Sequence, residues 1–143
     1  MPSFENRRAR HEYEILETLE AGIALKGTEV KSLRASGADF TGAFARFQGN
    51  ELLLENLYIA PYEKGSYTNH DPRRPRKLLL HKQELARLRG KVEQRGLTLV
   101  PLKIYFNERG WAKLLLGLAR GRREYEKRRE DKRRAIAREL EGW

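Results

Sequence analysis

The segment spanning residues 97–119 constrains the fold of this 143-residue chain more than any other. Its two apolar runs, LTLVPLKIYF at 97–106 and WAKLLLGLA at 111–119, flank NERG, a polar four-residue turn ending on glycine. Runs this short, rich in leucine, β-branched and aromatic residues, predict an antiparallel hairpin. Pro101 is expected at an edge or bulge, because proline offers the ladder no N–H. A lone hairpin is marginal in water, so the remaining chain has to supply further strands around it.

Those strands are found upstream. YEILETLEAGIAL at 13–25 places Ala21-Gly22 between two apolar-rich runs and predicts two strands around a turn, although its Glu and Leu content also suits a helix. Residues 40–47 and 52–59 predict a second hairpin around the turn QGN. GTEVKSLRAS at 27–36 predicts a short helix, capped at Gly-Thr, ending before Gly37, with a narrow stripe of Val30, Leu33 and Ala35. Leu85, Leu88 and Val92 predict a second helix from about His81 that stops at Gly90 or Gly96. The N-terminal PSFENRRARHEY reads as a cationic arm that orders on contact rather than as a core element. Six or so short strands with two helices predict a mainly β chain, folded as a small closed or nearly closed barrel; an open α+β sheet is the alternative.

The length suits one domain, and at 39% hydrophobic residues it supports one core. A formal charge of +10 favours a polyanionic partner, nucleic acid ahead of an anionic membrane, since the longest apolar runs are far too short to span a bilayer. The charged start MPSFENRRARHEYE does not have the form of a signal peptide. The chain has no cysteine, which excludes disulfides and thiolate chemistry and fits a cytoplasmic protein. Twenty Arg against ten Lys hint at a GC-rich or heat-adapted source. No phosphate-cradle, nucleophile-elbow or zinc-helix motif occurs, and the three histidines are not spaced as ligands, so neither a catalytic site nor a cofactor or metal is expected. His70-Asp71 before Pro72 reads as a turn.

Two basic segments remain. The stretch 61–77, PYEKGSYTNHDPRRPRK, reads as a long loop in which Arg73, Arg74, Arg76 and Lys77 are held out by prolines toward RNA phosphates, with Tyr62, Tyr67 and His70 as stacking faces; a solvated charge run is the alternative. The tail GRREYEKRREDKRRAIARELEGW carries nine Lys or Arg against six Asp or Glu. On a helix its Tyr125, Ile136, Leu140 and Trp143 share an arc of about 60°, broken by Arg129 and Lys132, so it cannot dock as a core helix. Its pairs Glu124–Arg128 and Glu130–Arg134 add about 0.2–0.5 kcal/mol each, which leaves a disordered tail that folds against an RNA surface neutralising Arg122, Arg123, Lys127 and Arg128. The expected division is a barrel domain at 1–120, including the arm, and a tail at 121–143.

NRRARHEY at 6–13, GTEVKSLR at 27–34, APY with NHDPRRPRKLLL at 60–80 and ARGRREYEKR at 119–128 together resemble the SmpB family of bacterial tmRNA-binding proteins, in the family's order and over nearly the whole chain. The resemblance implies a barrel of the oligonucleotide-binding (OB) type with flanking helices. It implies a non-enzymatic role in trans-translation: binding the tRNA-like domain of tmRNA, delivering it with elongation factor Tu to stalled 70S ribosomes, and filling the vacant decoding centre and mRNA channel with the tail. It carries RNA contacts onto Glu20, Leu79 and His81, the last where relatives usually have asparagine. It also assigns the tail residues Arg122, Arg123, Tyr125, Glu126, Lys127, Arg128, Ile136 and Trp143 to the ribosome, with Glu126 where aspartate is usual. A carboxylate repels phosphate, so Glu20 fits RNA only by accepting from a base edge or ribose hydroxyl; a salt bridge to a nearby arginine is its alternative. Leu79 would be a platform for an unstacked base, or else one core leucine among three. Competing classes are a general single-strand-binding or ribosomal barrel protein and an RNA-processing enzyme.

Overall fold

The computed structural model describes residues 3–62 and 69–121. Among these, seven strands run in the order β1 (Ser3–Glu5), β2 (Tyr13–Ile23), β3 (Phe44–Gln48), β4 (Glu51–Glu55), β5 (Arg76–Leu79), β6 (Thr98–Phe106) and β7 (Ala112–Gly121). Helices α1 (Arg7–Glu12), α2 (Gly27–Ser36) and α3 (Lys82–Arg95) lie between them. Every pairing is antiparallel, and β6–β3–β4–β5–β2–β7 returns to β6, so six strands close a ring with β1 added along β6. Closure leaves no long unpaired edge and settles the choice between barrel and open sheet in favour of the small barrel.

The 97–119 hairpin is present as β6 and β7, with Asn107 and Gly110 (φ 80) closing the turn. Its ladder slips between Pro101 and Lys103, which is the bulge that a proline imposes. At this bulge Pro101 and Leu102 offer carbonyls that Asn6 takes, with its side-chain amide at 2.8 Å and its backbone N–H at 2.8 Å. Asn6 thereby docks the N-terminal segment, which is not a free arm: β1 pairs with β6, and α1 buries Ala9 over Val100, Leu102 and Ala119 on the barrel's outer face. That cover explains why β6 is buried on both faces over residues 99–102 instead of alternating.

Ala21-Gly22 is not a turn. β2 runs unbroken through it, paired with β7 from Tyr13 to Gly22, while Gly22 and Ile23 also pair with Leu79 and Leu78 of β5. The strand changes partners at a barrel corner, where glycine admits the close approach: a Cβ on Gly22 would lie 3.1 Å from the Cβ of Leu79. Helix α2 has the expected bounds, but Lys26 precedes it as the cap residue, and its buried face carries Glu29, Ser32 and Leu33 while Ala35 is exposed. Helix α3 continues through Gly90 and ends at Gly96 in the left-handed region. β3 starts at Phe44 and β4 stops at Glu55, both inside the expected limits. β7 extends through Gly121, one residue past the expected domain limit; the tail residues 122–143, with all eight ribosome candidates, and Tyr67 fall outside the described residues.

The core follows the two-residue period of the strands. Leu52 and Leu54 of β4, Leu78 of β5, Ile104 of β6 and Leu114 and Leu116 of β7 are almost fully buried, and Leu33 and Leu88 close over them from α2 and α3. On β5 the same period puts Arg76 and Leu78 inward and Lys77 and Leu79 outward. Arg76 is therefore wholly buried, although it belongs to the most basic stretch of the sequence.

Candidate nucleic-acid interface

Burying Arg76 requires a counter-charge, and α2 supplies it from Glu29, which is also wholly buried. Arg76 donates from Nε to Glu29 Oε2 at 2.6 Å and from its other nitrogens to the carbonyls of Leu57 and Pro72. Arg74 donates from Nε to Glu29 Oε1 at 3.1 Å and also from Nη2, and the Lys26 backbone N–H adds 2.8 Å. Burial alone would raise the Glu29 carboxyl, but the hydrogen bonds from Arg74, the Lys26 N–H and Arg76 outweigh it and hold it below the usual carboxylate range. Arg76 is thus an anchor of the fold and not a cation presented to a partner, while the half-buried Arg74 is tied to the same carboxylate.

His70 is an anchor too, rather than a stacking face. It is buried, with Nε2 at 2.9 Å from the Ile59 carbonyl and Nδ1 at 3.0 Å from Thr28 Oγ1. A carbonyl only accepts, so Nε2 carries a proton, and Thr28 Oγ1 partners Nδ1, which leaves both ring nitrogens satisfied. Ser32 donates to the Ala60 carbonyl, and Asn69 bonds both backbone groups of Tyr62, which joins the two sides of the basic segment at its neck. Arg73 remains exposed over the Tyr58 ring at 5.1 Å, and Lys77 points outward beside Glu51 at 3.3 Å.

The outer face of the barrel carries a different constellation. Strand register aligns Leu79 of β5, Gly22 of β2, Lys113 of β7 and Tyr105 of β6 in one row across four neighbouring strands. Because Gly22 has no side chain, the row dips there, and a groove of about 530 Å³ opens over it. Leu79 stands on the β5 side with 49% of its surface exposed; Lys113 and Trp111, the latter 67% exposed, stand on the β7 side. His81 and Glu84, at the start of α3, and Glu20, two residues along β2 from Gly22, also line it. The structure thus brings Glu20, Leu79 and His81 to one groove and leaves Arg73 and Lys77 off it.

The groove is firmly supported. Asn107 holds Trp111 by accepting from its N–H at 2.9 Å and donating to its carbonyl at 3.0 Å, while Arg34 lies over the Phe106 ring at 4.8 Å beneath the same turn. Glu20 has no arginine partner among the described residues; its Oε2 accepts the Tyr105 hydroxyl. Burial, and then the neighbouring Glu20 carboxylate, push the Tyr105 hydroxyl up to about 12, so it stays protonated and donates at neutral pH. Leu79 is the outward member of its leucine trio and not a core residue. Sequence reasoning overlooked Gly22, Tyr105, Trp111 and Lys113; the alternation of β7 beyond the NERG turn was the available signal for the last two. Among the described residues no cluster of His, Cys, Asp or Glu fits a metal ion, and no helix is long and apolar enough to cross a membrane.

The family model described as SmpB protein matches residues 3–142. SsrA-binding proteins of two Thermus thermophilus strains are 79% identical over 140 residues, covering 98% of this chain and 97% of theirs. The SsrA-binding protein of Deinococcus radiodurans is 55% identical over 137 residues, covering 96% and 95%. A solved chain described under "tmRNA-SmpB: a journey to the center of the bacterial ribosome" superposes with a TM-score of 0.74 at 79% identity, covering 95% of both chains.

Proposed function

The chain belongs to the SmpB protein family, and from that premise we propose that it is a tmRNA-binding protein of trans-translation. It binds the tRNA-like domain of tmRNA, carries it to stalled 70S ribosomes in company with elongation factor Tu, and works in the cytoplasm as a binding factor without catalytic activity. The observation that carries this is the groove over Gly22, where Glu20 meets Leu79 and His81 from far along the chain, beside an exposed indole. Exposed apolar surface in a strongly basic protein suits unstacked bases, which RNA offers in loops and a regular duplex does not. His81 presents one donor or acceptor and a stacking face in place of the family's asparagine. Arg73 and Lys77, outward but off the groove, serve as phosphate contacts for the same RNA and add to the salt dependence of binding.

The division of labour follows the chain: the barrel holds tmRNA, and the tail from Gly121 enters the ribosome. Arg122, Arg123, Lys127 and Arg128 neutralise ribosomal phosphates in the decoding centre. Tyr125 stacks there, Glu126 takes the aspartate's place with a longer arm, and Ile136 and Trp143 face the vacant mRNA channel. Titration against the tRNA-like domain, an elongator tRNA and an equally long single strand tests the assignment. The tRNA-like domain is expected to bind more tightly than the other two, because specific contacts add to the charge-driven binding that all three share. Equal affinities for all three would identify a general RNA-binding barrel instead.

A further inference from the structure

The groove pairs two exposed apolar side chains, Leu79 and Trp111, with a carboxylate, Glu20. An ionised carboxylate only accepts hydrogen bonds, so it selects ligands by their donors. Tyr105 steadies Oε2, while Oε1 has no partner among the described residues. Of the four RNA bases, guanine alone has two adjacent donors on its Watson–Crick edge, the N1–H and the 2-amino group, which a carboxylate can accept together. Adenine and cytosine set their amino group beside a ring-nitrogen acceptor, and uracil sets its N3–H between two carbonyls, so each of these edges turns a lone pair toward the carboxylate. Phosphate is disfavoured at Glu20 by charge.

Gly22 supplies the room. A Cβ there would lie 3.1 Å from the Cβ of Leu79 and intrude on the groove floor, so glycine at that position deepens the space between the β5 wall and the β7 wall. Across two strand spacings Leu79 and Lys113 stand on the order of 10 Å apart at the backbone, with Gly22 between them; Trp111, two residues before Lys113, lines the same groove, which leaves room for one aromatic ring beside Leu79. We propose that the groove is a subsite for a single unpaired guanine, stacked between Trp111 and Leu79 with its Watson–Crick edge read by Glu20. This rests on the tmRNA-binding function proposed above and names the base that it reads. Trp111 is then an RNA-stacking residue and Tyr105 a positioning residue.

The test titrates the full chain against the tRNA-like domain of tmRNA with its unpaired guanines replaced one at a time by inosine, which keeps N1–H and lacks the 2-amino group. One position is expected to weaken binding about 10-fold or more, the effect of a lost hydrogen bond to a charged group. Glu20→Gln should bind more weakly and be indifferent to inosine at that position. In a Trp143→Phe background the remaining indole, Trp111, should be quenched on binding; Trp111→Ala should lose about 5- to 100-fold in affinity and Trp111→Phe much less. Tight binding of the unmodified domain with no sensitive guanine, or with equal sensitivity in Glu20→Gln, would overturn the guanine subsite. An unmodified domain that binds no better than elongator tRNA would overturn the tmRNA function itself, and the subsite with it.

Discussion

Glu29→Ala is expected to destabilise the barrel by about 3–5 kcal/mol, because it leaves the fully buried Arg76 guanidinium without its counter-charge. Domains of this kind retain about 5–15 kcal/mol in all, so the variant should sit near its unfolding threshold. The loss extends beyond one pair: Glu29 also orients Arg74, and Arg76 holds the Pro72 and Leu57 carbonyls, so the basic segment would lose its seat on α2. The same carboxylate sets an acid limb. Its folded-state pKa lies below the unfolded value, so its stabilisation is full above the ordinary carboxylate range and is lost as pH falls through the lowered value. Glu17, held down to about 2 by hydrogen bonds from Arg87 and Lys91, acts in the same direction where α3 meets β2. Urea unfolding of wild type, Glu29→Ala and Glu29→Gln at neutral and acid pH checks both points. The Gln variant should be less stable at neutral pH and show a flatter acid limb; a neutral-pH loss under about 1 kcal/mol for Ala, the scale of a surface ion pair, would contradict the anchor role.

Ending the chain after Gly121 is expected to separate the two halves of the function. The shortened chain keeps every described strand and the pairing of Gly121 with Tyr13, so it should keep its thermal midpoint and its affinity for the tRNA-like domain. Peptide tagging on ribosomes stalled without a codon in the A site should fall to background, because the segment proposed to fill the decoding centre is gone. Loss of tmRNA binding would instead move the recognition surface into the tail, and preserved tagging would make the tail dispensable.

Where sequence patterns matched the fold, they did so for local reasons. The NERG hairpin, the Pro101 bulge, the span of α2 and the His81 start of α3 each follow from turn chemistry, a missing N–H or helix periodicity, and needed no tertiary information. The misreadings were tertiary. Ala21-Gly22 looks like a turn because glycine usually punctuates chains, yet here it serves a strand that changes partners, which only the approach of β5 reveals. The N-terminal segment looked free because its anchor, Asn6, uses carbonyls released by a bulge far along the chain. Charge density made Arg76 look like an RNA ligand, although the alternation through Leu78 already turned it inward; the missing knowledge was that Glu29 stands opposite. Glu20, Leu79 and His81 came from resemblance, and nothing local to them indicates that they share a groove.

The most direct test of the groove as the tmRNA interface is the affinity of Leu79→Glu for the tRNA-like domain. Half of the Leu79 side chain already faces solvent, so the substitution should leave the thermal midpoint within a few degrees of wild type, as expected for a surface change of about 0.5 kcal/mol or less. In the groove it replaces an apolar wall with a second carboxylate beside Glu20, and binding should fall by about 100-fold, a lost stacking contact compounded by repulsion of the RNA. Wild-type affinity in a folded Leu79→Glu protein would show that the RNA binds elsewhere and would contradict the account.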